Sequence, residues 1–203
     1  MKQQLSFIGL CGWPGAGKDE VAAIMQKQYD YQPIDDGLCL RQAIPYLFGF
    51  ERTLPYTREG KDTVIETVAG PRTVRDLLGT VGGLMENEYG TGFMPHAAMR
   101  NAQVQFEQTG QTLFVFSSVR KDQPWHYKEQ GGKIIQINRP GVKPSPHPFD
   151  AWDEASVDAV IDNNGSLEDL AASVGLILLN INKYEGRRIW TDASCLLRVE
   201  TAQ

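Results

Sequence analysis

The sequence predicts an α/β fold in three layers: a doubly wound parallel sheet with helices on both faces. Short, continuous apolar runs at residues 5–11, 112–117 and 133–138 have the composition of strands covered on both sides. Segments with helical spacing lie between them, so strands and helices alternate along the chain. With 203 residues, 41% hydrophobic and 22% charged, the chain has an ordinary globular composition and a length that suits one domain.

The elements follow in order. The first strand, 5–11, runs into a glycine-rich turn and then a helix at 19–28. A second strand at 31–34 leads through Asp35-Asp36-Gly37 to a helix at 38–48 that Pro45 can kink. Residues 51–69 are polar and weakly periodic, which predicts a loop-rich insertion. Pro71 suits a first helical position, so 72–88 is expected to be helical despite Gly82-Gly83, with a further helix at 95–108. After the strand at 112–117 come a short helix at 125–130 and the strand at 133–138. Four prolines in residues 140–148 predict an extended loop or flap. A final strand at 159–162 precedes a closing helix whose Ser166 and Asp169 have capping-box spacing. The tail beyond Tyr184 has no assignment, and no internal repeat is present.

Charge and cysteine content exclude several classes. A net charge of −5 argues against a dedicated nucleic-acid binder, although an acidic chain can contain a basic cleft. Arg41, Arg72, Arg75, Arg120 and Arg139 are spread along the middle of the chain, as in a pocket built from several loops around a small anion. The three cysteines lack disulfide or zinc spacing, which fits a reducing, cytoplasmic location. The N-terminal apolar run is too short for a secretion signal or a membrane span, and no membrane partner is expected.

Gly12-Trp13-Pro14-Gly15-Ala16-Gly17-Lys18-Asp19 matches the phosphate-loop pattern G-x-x-x-x-G-K, with Asp where Ser or Thr usually follows. A strand precedes it and a helix follows, so backbone N–H groups and the helix N-terminus can converge on a nucleotide's phosphates. Lys18 is expected on the β- and γ-phosphates. A carboxylate at Asp19 is repelled by phosphates unless a cation intervenes, so its expected task is to hold Mg²⁺, directly or through water. Trp13 could stack on a base or shield the loop. The N-K-x-D guanine motif is absent, and the strand at 112–117 ends in Ser117-Ser118 without the carboxylate of motor or transporter ATPases.

In these blocks the sequence resembles the phage-type deoxynucleoside monophosphate kinases of the adenylate-kinase-like P-loop group. Gly17-Lys18-Asp19 is similar to that family's G-K-D loop. Asp36 to Ala43, with Arg41, resembles its helix after the second strand, and Gly70-Pro71-Arg72 with Leu78-Gly79-Thr80 resembles P-R-x-x-x-Q-x-L-G-T-E. Val119-Arg120 resembles D-V-R, and Gly131 to Pro140 resembles G-G-x-V-I-x-I-x-R-P. His147 with Asp150 loosely resembles H-x-S-E, and Asp158 to Leu167 resembles D-x-V-I-x-N-x-G-S-L. Three departures fall at polar positions: Asp76 for Gln, Val81 for Glu and Ser118 for Asp.

The resemblance implies one P-loop kinase domain over 1–203, with a core of about 1–50 and 110–182, a helical substrate region of about 51–109 and a lid loop of about 139–152. It implies ATP and Mg²⁺, and transfer to a (deoxy)nucleoside monophosphate in a host cytoplasm. Lys18, Arg72 and Arg139 would be catalytic. Asp36, Arg41, Arg72, Arg75 and Arg120 would bind the monophosphate. Arg139 and His147 would belong to the lid, and Asn163 and Gly165 to the ATP base region. Kinases of dephospho-coenzyme A or phosphomevalonate type, and a non-catalytic nucleotide-binding protein, are the alternatives. No residue decides between a monomer and a homodimer.

Overall fold

A computed structural model describes residues 5–184. Five strands form one parallel sheet: β1 (Ser6–Cys11), β2 (Gln32–Ile34), β5 (Leu113–Phe116), β6 (Lys133–Asn138) and β7 (Ala159–Asp162). Their spatial order is β2-β5-β1-β6-β7, which puts β1 at the centre. A two-residue antiparallel hairpin, β3 (Val64–Ile65) with β4 (Arg72–Thr73), stands apart from it.

The apolar runs are continuous because each strand is covered on both faces. Successive side chains point to opposite sides of a strand. Ile8, Leu10, Val115, Ile135 and Ile137 enter one core cluster with α1 (Lys18–Tyr29) and α7 (Leu167–Tyr184). Phe7, Cys11, Phe114, Phe116 and Ile134 enter the other with α5 (Phe93–Thr109) and α6 (Gln123–Glu129). Ala98, Met99 and Ala102 of α5 pack into this second cluster, so α5 belongs to the sheet's covering layer. No helix among the described residues is long and apolar enough to cross a membrane.

α2 (Leu38–Phe48) contains Pro45, and α7 opens with the expected cap, Ser166 and Asp169 exchanging side-chain and backbone bonds. Two expectations differ. Residues 51–69 are not simply loop: they hold a 3-10 turn at 54–56, the five-residue helix α3 (Arg58–Asp62) and β3. α4 (Val74–Tyr89) starts three residues after Pro71, because Thr73 and Asp76 form a reciprocal capping box and Arg72 is spent in the hairpin. A residue before the cap is extended, so Pro71 is not at the first helical position.

All five strands point their carboxyl ends at one edge, and the loop after each one reaches a common cleft. Ligands of open parallel sheets bind at such an edge.

Candidate active site

The loop after β1 is shaped by its glycines. Gly12 has φ 142°, and a Cβ there would fall 2.5 Å from the Ile137 carbonyl oxygen, so only glycine lets the loop pass β6 this closely. Lys18 opens α1 and folds back, its Nζ donating to the carbonyls of Gly12 (2.6 Å) and Trp13 (3.3 Å). Burial, then the charge of Arg120, lowers the Lys18 pKa. Beyond β7, the Asn163 Nδ2 donates to the Ala16 carbonyl (2.9 Å) and braces the loop from behind. Trp13 turns away and packs on Trp152, ring centroids 4.9 Å apart.

The loop forms one wall of a cleft of about 1310 Å³. Eight lysines and arginines line it against five aspartates and glutamates, so a chain of net charge −5 has a cationic cleft. A second pocket of about 130 Å³ adjoins it, walled by Leu40, Leu78, Met94 and Phe149 and by Gly79, Gly82 and Gly83 of α4. Arg41, Lys61, Arg75 and Arg120 line both spaces. Each arginine has a carboxylate partner: Arg41 with Asp35, Arg75 with Asp62 (2.9 Å) and Arg120 with Asp150 (3.2 Å).

Asp36 lies on the wall of the small pocket and is 5% exposed. Its Oδ2 accepts from the Ser118 N–H (3.2 Å), while Oδ1 has no partner among the described residues. Burial, then repulsion from Asp35, raises its pKa to about 7. A carboxyl thus sits against the Ser118 backbone although Ser118 itself carries none, brought there from 82 positions earlier. Glu86, also buried, accepts from Lys121 and from Gln123 Nε2 (2.8 Å), forming a satisfied polar floor.

No family model matches the chain, and no curated protein does. Solved structures of similar shape include the dephospho-CoA kinase of Campylobacter jejuni, at 14% identity over 89% of this chain and 98% of that one, TM-score 0.46. The shikimate kinase of Aquifex aeolicus aligns at 12% identity over 88% and 99%, TM-score 0.43. The APS kinase of Mycobacterium tuberculosis aligns at 10% over 89% and 98%, TM-score 0.39. Strand order, parallel pairing and a phosphate loop leaving the central strand define the architecture. The fold is a three-layer α/β fold around a central parallel sheet.

Of the residues expected at the site, Gly12, Pro14, Gly15, Gly17, Lys18 and Asp19 line the cleft, whereas Ala16 is buried behind it. Arg41, Arg75 and Arg120 meet at its junction with the small pocket. Arg139, His147, Asn163 and Gly165 also line the cleft, with His147 stacked on Phe149 at 5.1 Å. Arg72 is not brought there. It is exposed, bonded to the Pro71 carbonyl (2.8 Å), and lines neither space, because the hairpin and the cap at Thr73 turn it outward. Asp19 is exposed at the cleft beside Lys18, and no cluster of three metal-binding side chains occurs among the described residues. Sequence reasoning did not single out Lys61, Arg58, Glu86, Lys121 or Gln123. The first two sit in the segment read as loop, where no periodicity marks a face. Glu86 and Gln123 are polar residues on helices and Lys121 lies in the loop before α6, and only the fold shows that they come together.

Proposed function

We propose that this chain is an ATP-dependent small-molecule kinase that transfers the γ-phosphoryl group of ATP to the phosphate of a nucleoside monophosphate. One observation carries the reading: Arg41, Lys61, Arg75 and Arg120 line both the cleft and the pocket beside it. A phosphorylated acceptor lodged in the small pocket would present its dianion to these cations, facing ATP at the loop. Lys18 would exchange the carbonyls of Gly12 and Trp13 for the phosphates of ATP. As the bond from the γ-phosphorus to the bridging oxygen breaks and a bond to an acceptor oxygen forms, Lys18 and Arg120 would stabilise the migrating charge. Arg139 and His147, on the loop over the cleft, would help exclude water.

Mg²⁺ fits the residues present, since it takes one or two carboxylates and completes its shell with water and phosphate oxygens. Asp19 is the carboxylate to hold it, as Asp35 is paired with Arg41 and accepts from the Gly37 N–H. The ion would neutralise phosphate charge during transfer.

Asp36 favours a second reading. A buried carboxyl with a pKa of about 7 can take a proton from a hydroxyl, a task no phosphate acceptor requires. That reading makes the acceptor an alcohol, as in kinases of dephospho-coenzyme A type.

An ADP-release assay against nucleoside monophosphates, phosphomevalonate, dephospho-coenzyme A and simple alcohols separates these readings. Turnover with a monophosphate, lost in Lys18→Ala by about a hundredfold or more, is the expected result. Turnover with an alcohol alone selects the second reading. ATP binding without turnover on any acceptor would leave a nucleotide-binding protein.

A further inference from the structure

Among the described residues, Lys61 is the one cation shared by the two cavities that has no carboxylate of its own. It belongs to α3, whose five residues are held firmly. Thr57 accepts from the Gly60 N–H (2.9 Å), buried Gly60 sits against Leu54, and Asp62 reaches Arg75 of α4. The Lys61 ammonium has no hydrogen bond or ion pair among the described residues, whereas Arg41, Arg75 and Arg120 are each matched to an aspartate. Glu86 is committed to Lys121 and Gln123. The junction therefore holds four cations and three dedicated anions. Burial, then Arg41, Arg75 and Arg120, lowers the Lys61 pKa, with Asp19 opposing weakly.

We propose that Lys61 selects an acceptor bearing a dianionic phosphate, by supplying the unmatched positive charge at the entrance to the small pocket. This rests on reading the cleft as a phosphoryl-transfer site. A lysine suits the task because its ammonium is a mobile point charge that can follow a phosphate without a fixed fork geometry. The three arginines can then stay with their aspartates in the free enzyme, and the incoming phosphate supplies the missing anion. Binding restores the Lys61 pKa, so acceptor affinity falls as pH rises through the depressed pKa of the free enzyme. The other groups facing this position are Arg41 and Asp35, Arg58 and Asp62, Arg75, Arg120 with Asp150, Asp19, Asp36, and Glu86 with Lys121. Asp36, raised to about 7, titrates at the start of this range, and Lys18, also lowered by burial, would be held on the phosphates of a bound ATP analogue, so the part of the alkaline fall that an always-charged guanidinium at position 61 removes is the part set by Lys61.

Calorimetry with the Mg²⁺ complex of AMP-PNP already bound, titrating the common deoxynucleoside monophosphates, tests this in wild type, Lys61→Met and Lys61→Arg between pH 7 and 10. Lys61→Met is expected to lose about ten times more affinity for the monophosphate than for AMP-PNP. Lys61→Arg should bind within about threefold of wild type and lack that part of the alkaline fall, because guanidinium stays charged. If Lys61→Met binds the monophosphate as wild type does, or loses both ligands equally, the role of Lys61 is overturned while the kinase reading stands. If wild type binds AMP-PNP but no monophosphate, the monophosphate reading fails and takes this proposal with it.

Discussion

At the scale of single residues, Asp36 separates two chemistries with one atom. Its folded-state pKa of about 7 lies well above that of an exposed aspartate, so the native protein holds a proton that the unfolded chain releases near pH 4. Stability contributed by the neutral form is therefore full in acid, falls as pH rises through the window from about 4 to 7, and is flat above it. Asn keeps the carbonyl oxygen that accepts from the Ser118 N–H and never ionises. Between pH 5 and 8, Asp36→Asn should gain roughly 2–3 kcal/mol on wild type at most, by urea unfolding at the two pH values. A pH-independent difference would mean that Asp36 ionises as an exposed acid does. The same variant should keep most turnover on a phosphate acceptor and lose it on an alcohol.

At the scale of elements, α4 gives up helix stability to leave space. Gly79, Gly82 and Gly83 line the small pocket, and each glycine in a helix interior costs about 1 kcal/mol relative to alanine. The phenyl ring of Phe149 would be 2.8 Å from a Cβ at Gly79, and Leu40 would be 3.0 Å from one at Gly82, so those two are held by close packing. A Cβ at Gly83 would meet nothing within 4 Å. Gly83→Ala is therefore expected to stabilise the protein by about 0.5–1 kcal/mol in urea unfolding while raising the acceptor KM several-fold, since the added methyl intrudes on the pocket. A stability gain with unchanged KM would mean that the acceptor does not reach Gly83. The glycine pair was visible in the sequence only as a weakness in a helix, and its use depends on what faces it. The sheet was more legible, because strands covered on both faces leave uninterrupted apolar runs: β6 and β7 have the expected bounds, and β1, β2 and β5 are shorter by a residue or two. The start of α4 was less so: Pro71 alone suggested it, whereas the cap forms at Thr73 with Asp76 because the hairpin takes up Arg72. Lys61 was hidden for a related reason: a five-residue helix is too short to show a period.

At the scale of the whole molecule, the parallel sheet turns a scattered set of charges into one site. Lys18, Asp36, Arg120, Arg139 and Asn163 follow five different strands and converge because those strands end at the same edge. The same edge carries a link between the small pocket and the segment 145–153 that would serve as a lid in the proposed function. Arg120 pairs with buried Asp150, whose Oδ2 accepts from Ser145 Oγ (2.6 Å), and the ring of Phe149 lies under the Arg120 guanidinium and against Gly79. On the far side, Lys121 bridges to Trp152 and accepts from the Asp153 N–H (3.0 Å). The segment 145–153 is thereby tied to the loop after β5, and the tie runs through the arginine that the incoming phosphate would claim. Under the proposed function, a phosphate that drew on Arg120 would compete with Asp150 for it, so acceptor binding and the position of segment 145–153 would be coupled. Asp150→Asn keeps the shape and the Ser145 contact but weakens the pair in advance. It should raise amide hydrogen exchange across 140–150 and raise ATP hydrolysis without acceptor about threefold or more, since a loosened lid admits water. Unchanged exchange in that segment would mean that the backbone contacts of Lys121 hold the lid by themselves.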